Sequence, residues 1–282
     1  MRWIPNFLTC LNLLCGCIGI TMAFQGNLIA ASYLVGLACI FDFLDGMMAR
    51  LLKAQSEIGK QLDSLADMVT FGVLPGMIMF HLIIFTSLPD LVDDAISFGA
   101  NLFGLSVKED PEFDVGMLIP FVAFLIPIFS ALRLAKFNID TRQSDSFIGL
   151  PTPANALFIA SIPLIYGIEA SDPISGSFIK KIMESVFGDL FSAPSHAVGY
   201  FRDLLVSRAA LVILTIVLSL LLVSPVKLIA LKFKSFAWSG NEVRYLFIAS
   251  AITLIFIFGF FGIPLTIIAY IVFSLVNNFI EK

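Results

Sequence analysis

Residues 28–67 read LIAASYLVGLACIFDFLDGMMARLLKAQSEIGKQLDSLAD. The stretch opens as an apolar run long enough to cross a bilayer, which takes about 20 residues. Near the end of that run stand Asp42 and Asp45, and a second apolar run is opened by Asp63 and Asp67. A carboxylate at membrane depth is costly unless it is paired, protonated or bound to a cation. Four of them on two consecutive helices call for a common explanation. Asp42 and Asp45 are spaced i, i+3 and Asp63 and Asp67 i, i+4, so each pair shares one helix face. The connection is short, which makes the two helices antiparallel neighbours. Counting back from Arg50 places Asp42 roughly 12 Å from that end, and counting forward from Lys60 places Asp67 roughly 10 Å in. Both pairs therefore reach a similar depth and can face each other. Divalent cations would relieve their repulsion, and an all-oxygen site suits hard ions such as Mg²⁺, Mn²⁺ or Ca²⁺. The competing explanation is a set of interhelical salt bridges or a proton path. The glycines favour a ligand: Gly46 and Gly59 lie beside the acids, where a helix gives up stability for close approach of something else. Ala49 keeps the same face shallow, and Arg50 can pair with a phosphate.

The rest of the chain agrees with a membrane setting. Of its 282 residues, 59% are hydrophobic and only 13% charged, against about 45–50% and 25% in a soluble domain. Mean hydropathy is +0.97. These values exclude a soluble globular enzyme, a disordered chain and a basic nucleic-acid binder. Continuous rather than alternating apolar runs exclude a transmembrane β-barrel. The expectation is an all-α, polytopic membrane helix bundle of about eight spans, near 5–24, 28–50, 64–87, 116–138, 152–168, 206–225, 244–260 and 262–280. Gly259-Phe260-Phe261-Gly262-Ile263-Pro264 predicts a tight helical hairpin between the last two. With both termini cytoplasmic, twelve of the 17 lysines and arginines fall on the inner side. The outer loop 88–115 then carries seven acids and one lysine. This is the positive-inside asymmetry. The first apolar run lacks an A-x-A cleavage pattern and is read as a retained span.

Cys10, Cys15, Cys17 and Cys39 lie in apolar stretches without C-x-x-C spacing, as small packing residues do. His81 and His196 lack zinc-type spacing. Pro75, Pro120, Pro127 and Pro163 fall inside spans, where they kink helices. Apolar residues recur at helical spacing over 178–191 and more weakly over 91–103, and Lys227–Trp238 interleaves lysine with aromatic residues. All three read as interfacial segments rather than chemistry. No linker marks a second domain. The chain reads as one membrane domain, residues 1–282, with a core of about 1–225 and outer insertions at about 88–115 and 169–205.

The pattern Asp45-Gly46-x-x-Ala49-Arg50, eight residues, Gly59-x-x-x-Asp63-x-x-x-Asp67 resembles the signature of the CDP-alcohol phosphatidyltransferases, and Asp42 fits its extended form. The flanks resemble the phosphatidylserine-forming branch. They are Trp3–Thr9, Asn12-Leu13-Leu14-Cys15-Gly16, Ala131-Leu132-Arg133-Leu134-Ala135-Lys136-Phe137-Asn138 and Phe147-Ile148-Gly149-Leu150-Pro151-Thr152-Pro153-Ala154. Lys136 departs from the arginine that relatives often carry, keeping the charge but losing the planar fork. The likeness runs over roughly the first 160 residues.

The resemblance implies a membrane transferase that moves the phosphatidyl group of CDP-diacylglycerol to the hydroxyl of L-serine, releasing CMP. It implies that Asp42, Asp45, Asp63 and Asp67 hold one or two divalent cations, Mg²⁺ or Mn²⁺, with Ca²⁺ as a possible non-catalytic occupant. Asp67 becomes the catalytic base as well. Asn6, Thr9, Gly46, Ala49, Arg50 and Gly59 would line the nucleotide. A serine carboxylate needs a cation, and Arg133, Lys136 and Arg142 are the inner-side candidates, with Asn138 helping to position it. Ordinary inner-side flanking charge explains these bases equally well. The resemblance also implies a homodimer in the cytoplasmic membrane with its site facing the cytoplasm. Two rivals stay open: the same transfer to glycerol 3-phosphate or inositol phosphate, and a cation-coupled transporter.

Overall fold

The computed structural model describes residues 3–87, 115–139, 146–166, 207–229 and 241–280. Arg142, the two insertions and most of the Lys227–Trp238 segment lie outside the described residues, so the expectations for them end there.

Helix α1 spans Trp3–Phe24 and α2 Leu28–Leu51. Asn27 caps α2, its side chain accepting from the Ala30 N–H at 3.0 Å, a contribution of about 1 kcal/mol. The link to α3 turns at Lys53, which takes a positive φ of 49°. Ser56 then caps α3 (Glu57–Asp67), accepting from the Gly59 N–H at 3.0 Å. The chain continues without a break through a π-helical turn, Met68–Val73, into α4 (Leu74–Ser87). The third rod thus starts well before the apolar run at 64, and Asp63 and Asp67 lie inside it rather than at its opening. The widened turn has a local cause. Pro75 has no N–H to offer the Phe71 carbonyl, and the Leu74 N–H reaches back five residues to the Val69 carbonyl.

A 3₁₀ stretch over Val115–Phe124 contains Pro120 and leads into α5 (Leu125–Ile139). Strand β1 (Ser146–Ile148) precedes α6 (Thr152–Tyr166), and α7 (Arg208–Val223) precedes strand β2 (Lys227–Ile229). The strands pair antiparallel, Phe147 opposite Leu228, a small correction to an all-helical expectation. Lys227–Ile229 is therefore a strand rather than the start of an interfacial segment. Helix α8 (Glu242–Phe258) ends at Gly259, whose φ is +56°. A 3₁₀ turn at Gly259–Phe261 leads into α9 (Gly262–Ile280). Gly262 sits so close to the Leu254 carbonyl and to the Ile255 Cα, 2.7 Å from where a Cβ would be, that the chain must fold back on itself. This is the predicted hairpin.

Five stretches are long and apolar enough to cross a membrane: Trp3–Phe24, Leu28–Leu51, Glu57–Thr86, Leu118–Ile139 and Glu242–Asn278. The last is the folded hairpin, and Thr152–Ile165 and Arg208–Val223 are shorter apolar helices. The chain is a polytopic, mainly helical integral membrane protein. Its interior centres on α4, where Leu74, Ile78, Met79, Leu82 and Ile83 are fully buried, with Ile126, Ile159 and Leu211 against them. Outward faces are apolar too: Phe43 is 65% exposed and Phe256 68%, as lipid contact requires.

The path between the acid-bearing helices differs from the expectation of direct neighbours. Helix α1 packs along α2 and also against α3 and the π turn, whereas α2 and α3 barely meet. They face each other across a gap that α1 floors.

Candidate active site

One face of α1 is built from small and polar residues: Pro5, Thr9, Asn12, Gly16 and Gly19 are all buried. Their spacing of three and four puts them in one line, and that line lies under the gap. Thr9 Oγ1 is within donating distance of the Pro5 carbonyl, 3.1 Å, and of Asp45 Oδ2, 2.7 Å. One turn on, Asn12 Nδ2 donates to Asp67 Oδ1 at 3.3 Å, and the Asn12 carbonyl accepts from Thr70 Oγ1 at 3.1 Å. Gly16 permits this closeness, since a Cβ there would run into Thr70. Helix α1 therefore fixes one acid of α2 and one of α3.

The acids converge as the spacing predicts, with one qualification of position. Asp42, Asp63 and Asp67 each place a carboxylate oxygen within 4.8 Å of the others. Asp45 stands outside this trio, held by Thr9. Ligands on opposite sides of a hard divalent cation lie roughly 4–5 Å apart, so the trio has the chemistry and the spread of a cation site. Arg133 lies within electrostatic reach of Asp67.

Beside the trio lies a cleft of about 660 Å³. Asn6, Thr9, Asp42, Asp45, Gly46, Ala49, Gly59 and Asp63 line it, together with Ala54, Gln55 and Ser56 of the α2–α3 turn and Glu57 and Lys60 of the first turn of α3. A Cβ on Gly46 would meet nothing within 4 Å, so the wall there is open. A Cβ on Gly59 would be tighter, 3.1 Å from Asn6 Oδ1 and 3.0 Å from Ser56 Oγ. The cleft is lined by acids and by the side-chain-free positions Gly46 and Gly59. That shape takes a planar group with a cation-bridged anion attached.

The remaining expected residues divide. Arg50 is exposed at the end of α2 and does not line the cleft. Arg133 is buried, 9% exposed, with its Nε unpartnered. Lys136 is exposed on α5. Asn138 clips α5 to α3: its Nδ2 lies 2.9 Å from Ser64 Oγ, and its carbonyl accepts from Lys60 Nζ at 3.2 Å. Asn12 is the residue that the sequence reading left out of the site. Its signal was present, a polar residue in register with Thr9 and Gly16 on an otherwise apolar helix.

Comparison with known proteins adds an independent line. Residues 2–187 match the family model described as CDP-alcohol phosphatidyltransferase. The chain is 30% identical over 170 residues to a Bacillus subtilis protein named CDP-diacylglycerol–serine O-phosphatidyltransferase, covering 59% of this chain and 78% of that one. A Helicobacter pylori protein of the same name is 35% identical over 163 residues, 57% of each chain. A Mycobacterium leprae protein of that name is 30% identical over 169 residues, covering 57% of this chain and 47% of the relative. The match thus spans about half the length of the latter two.

Proposed function

The chain belongs to the CDP-alcohol phosphatidyltransferase family, and from that premise we propose that it transfers the phosphatidyl group of CDP-diacylglycerol to the hydroxyl of L-serine, giving phosphatidylserine and CMP. The observation that carries the reading is the meeting of Asp42, Asp63 and Asp67, two of which, Asp42 and Asp63, line the cleft. The serine acceptor is supported by the printed names of the relatives.

Members of this family are generally divalent-cation dependent. Asp42, Asp63 and Asp67 are the residues that would hold a cation, Mg²⁺ or Mn²⁺, with Asp45 beside them for a second. Such an ion, when bound, neutralises the diphosphate and the departing CMP oxygen. The chain's own groups do the rest. Gly46 and Ala49 leave room for the cytidine, and Asn6, Thr9 and Gly59 shape the opposite wall. A serine hydroxyl is a weak nucleophile, and Asp67 takes its proton as the oxygen attacks the lipid-side phosphorus. The new P–O bond replaces the one to CMP, which leaves as a phosphate monoester anion. Asn12 holds Asp67 in orientation during this exchange. Arg133, buried and within electrostatic reach of Asp67, meets the serine carboxylate. Lys136 and Arg142 supply positive potential nearer the water.

We read the chain as eight crossings with both termini in the cytoplasm, a single domain with a core of about 1–225, and a homodimer in the cytoplasmic membrane. On that reading the acids lie just below the cytoplasmic surface. A lipid substrate can then keep its tails in the bilayer and its nucleotide in water.

The test is incorporation of labelled serine into lipid by the purified full-length chain with CDP-diacylglycerol and Mn²⁺ or Mg²⁺. We expect product with wild type and near-complete loss with Asp67→Ala, the thermal midpoint of the variant being unchanged. Equal CMP release with glycerol 3-phosphate would refute serine as the acceptor. No CMP release from any alcohol, with metal present, would refute transferase activity.

A further inference from the structure

Beyond the acid cluster, five described side chains of the bundle are at least nine-tenths buried and carry polar atoms without a hydrogen-bond partner. They are Ser130 (Oγ), Arg133 (Nε), Thr152 (Oγ1), Ser219 (Oγ) and Asn155, the last at both Oδ1 and Nδ2. Unpartnered buried polar groups destabilise a fold and are rare, so a group of them points to something that partners them. Four of them lie on α5 and α6, and both of those helices pack against the π turn. Ser130 and Arg133 lie one turn apart on α5. Ser130 abuts the π turn, 3.2 Å from where a Cβ of Gly72 would be, and Arg133 is in electrostatic reach of Asp67 and Tyr270. Thr152 and Asn155 lie one turn apart at the start of α6. That helix packs against α2, the π turn and α9, which carries Tyr270. Both helices therefore border the turn that leaves Asp67.

We infer that Asn155, assisted by Thr152, is a specificity-determining residue that reads the charged ends of an α-amino-acid acceptor; the inference rests on the transferase reading above. The chemistry selects the ligand class. A carboxamide offers one acceptor and one donor edge. An amino-acid zwitterion presents the complement, an ammonium that donates and a carboxylate that accepts. Turning the amide over leaves the match intact, because both edges are free. Thr152 opens α6, where the first backbone N–H groups have no helical partner, and its hydroxyl adds a donor for the carboxylate. The phosphate of a phosphate-bearing alcohol, unlike a zwitterion, carries no ammonium, so its charged end presents acceptor oxygens only and leaves Asn155 Oδ1 facing like charge. The pair thus explains how one cation-holding cleft could favour serine over such alcohols.

The experiment is steady-state kinetics of the full-length chain in detergent micelles, serine being varied at saturating CDP-diacylglycerol. Asn155→Leu keeps the volume and removes both polar edges. Loss of a hydrogen bond to a charged group raises KM for serine by about tenfold or more. KM for CDP-diacylglycerol stays unchanged and the thermal midpoint does not fall, since apolar replacement of an unpartnered group is neutral or stabilising. Thr152→Val raises the serine KM in the same direction. An unchanged serine KM in a folded Asn155→Leu protein overturns the inference. So does a lowered midpoint with both KM values shifted together, which makes Asn155 a packing residue. If Asn155→Leu does not fold, Asn155→Ala and Thr152→Val give the same readout, and an unchanged serine KM in both overturns the inference. Absence of serine-dependent CMP release by wild type strikes at the transferase reading instead.

Discussion

Gly46→Ala separates the cleft's role in folding from its role in binding. A Cβ at this position meets nothing within 4 Å, so the methyl costs the free protein no contact. Gly46 lies inside α2, and replacing a helix-interior glycine by alanine stabilises by about 0.5–1 kcal/mol. The variant should therefore unfold at the same temperature as wild type or higher. On the proposed reading, however, the cleft is where the nucleotide lies. A methyl forced into a filled site costs about 1–3 kcal/mol, which is roughly 5- to 150-fold in kcat/KM for CDP-diacylglycerol. Gly36 provides the control, because it sits in the same helix, a Cβ on it also meets nothing within 4 Å, and it does not line the cleft. The assay is CMP release against CDP-diacylglycerol concentration, alongside thermal unfolding in the same detergent. The reasoning fails if Gly46→Ala and Gly36→Ala have the same kcat/KM, for then nothing packs against that wall.

Two further outcomes follow from the geometry. Mn²⁺ should raise the thermal midpoint of the purified chain by mass action, about 2.7 kcal/mol at a hundredfold excess over its Kd; Asp42→Asn and Asp63→Asn should each abolish the shift, and a shift retained in both would remove the cation from the trio. Gly16→Ala should destabilise the protein by about 1–3 kcal/mol, because its Cβ would run into Thr70; since the same contact aligns Asn12 with Asp67, activity measured below the unfolding range should fall as well, and a fully stable, fully active variant would show that α1 can stand off.

How much of this was legible beforehand depended on the range of the interactions. The two pairs of acids announced their own helix faces through spacings of three and four, and that local rule survives any tertiary arrangement. The hairpin at Gly259–Phe261 was equally local, a glycine with positive φ closing one helix. What the sequence could not rank was competition between helices. Asp45 shares a face with Asp42, yet Thr9, 36 residues earlier, draws it out of the trio. Asn138 reads as a substrate contact because it is polar and near two bases, and nothing local announces that its amide also reaches Ser64, 74 residues earlier. The gap between α2 and α3 was invisible for the same reason, since a short loop reads as direct packing and the role of α1 as floor is set at long range. The π turn was signalled only by Pro75, and a proline in a span kinks a helix in several ways. Strands β1 and β2 pair residues some eighty positions apart, each too short to carry a pattern.

The lacing of β2 to α9 has a bearing on where this chain can be cut. Tyr270 Oη donates to the Ile229 carbonyl at 2.8 Å, the Ile229 N–H donates to Ser274 Oγ at 3.1 Å, and Asn278 Nδ2 donates to the Lys227 carbonyl at 2.7 Å. The opposite edge of β2 is occupied by β1, the segment that leads straight into α6. The terminal hairpin lies beyond the 2–187 that match the family, so it invites deletion as an ornament. Severed before Glu242, the protein would bare an entire row of backbone groups on one strand and lose the tyrosine that neighbours Arg133. A minimal version trimmed to the matched residues would keep the acid trio while unbuttoning the strand pair from which α6 starts.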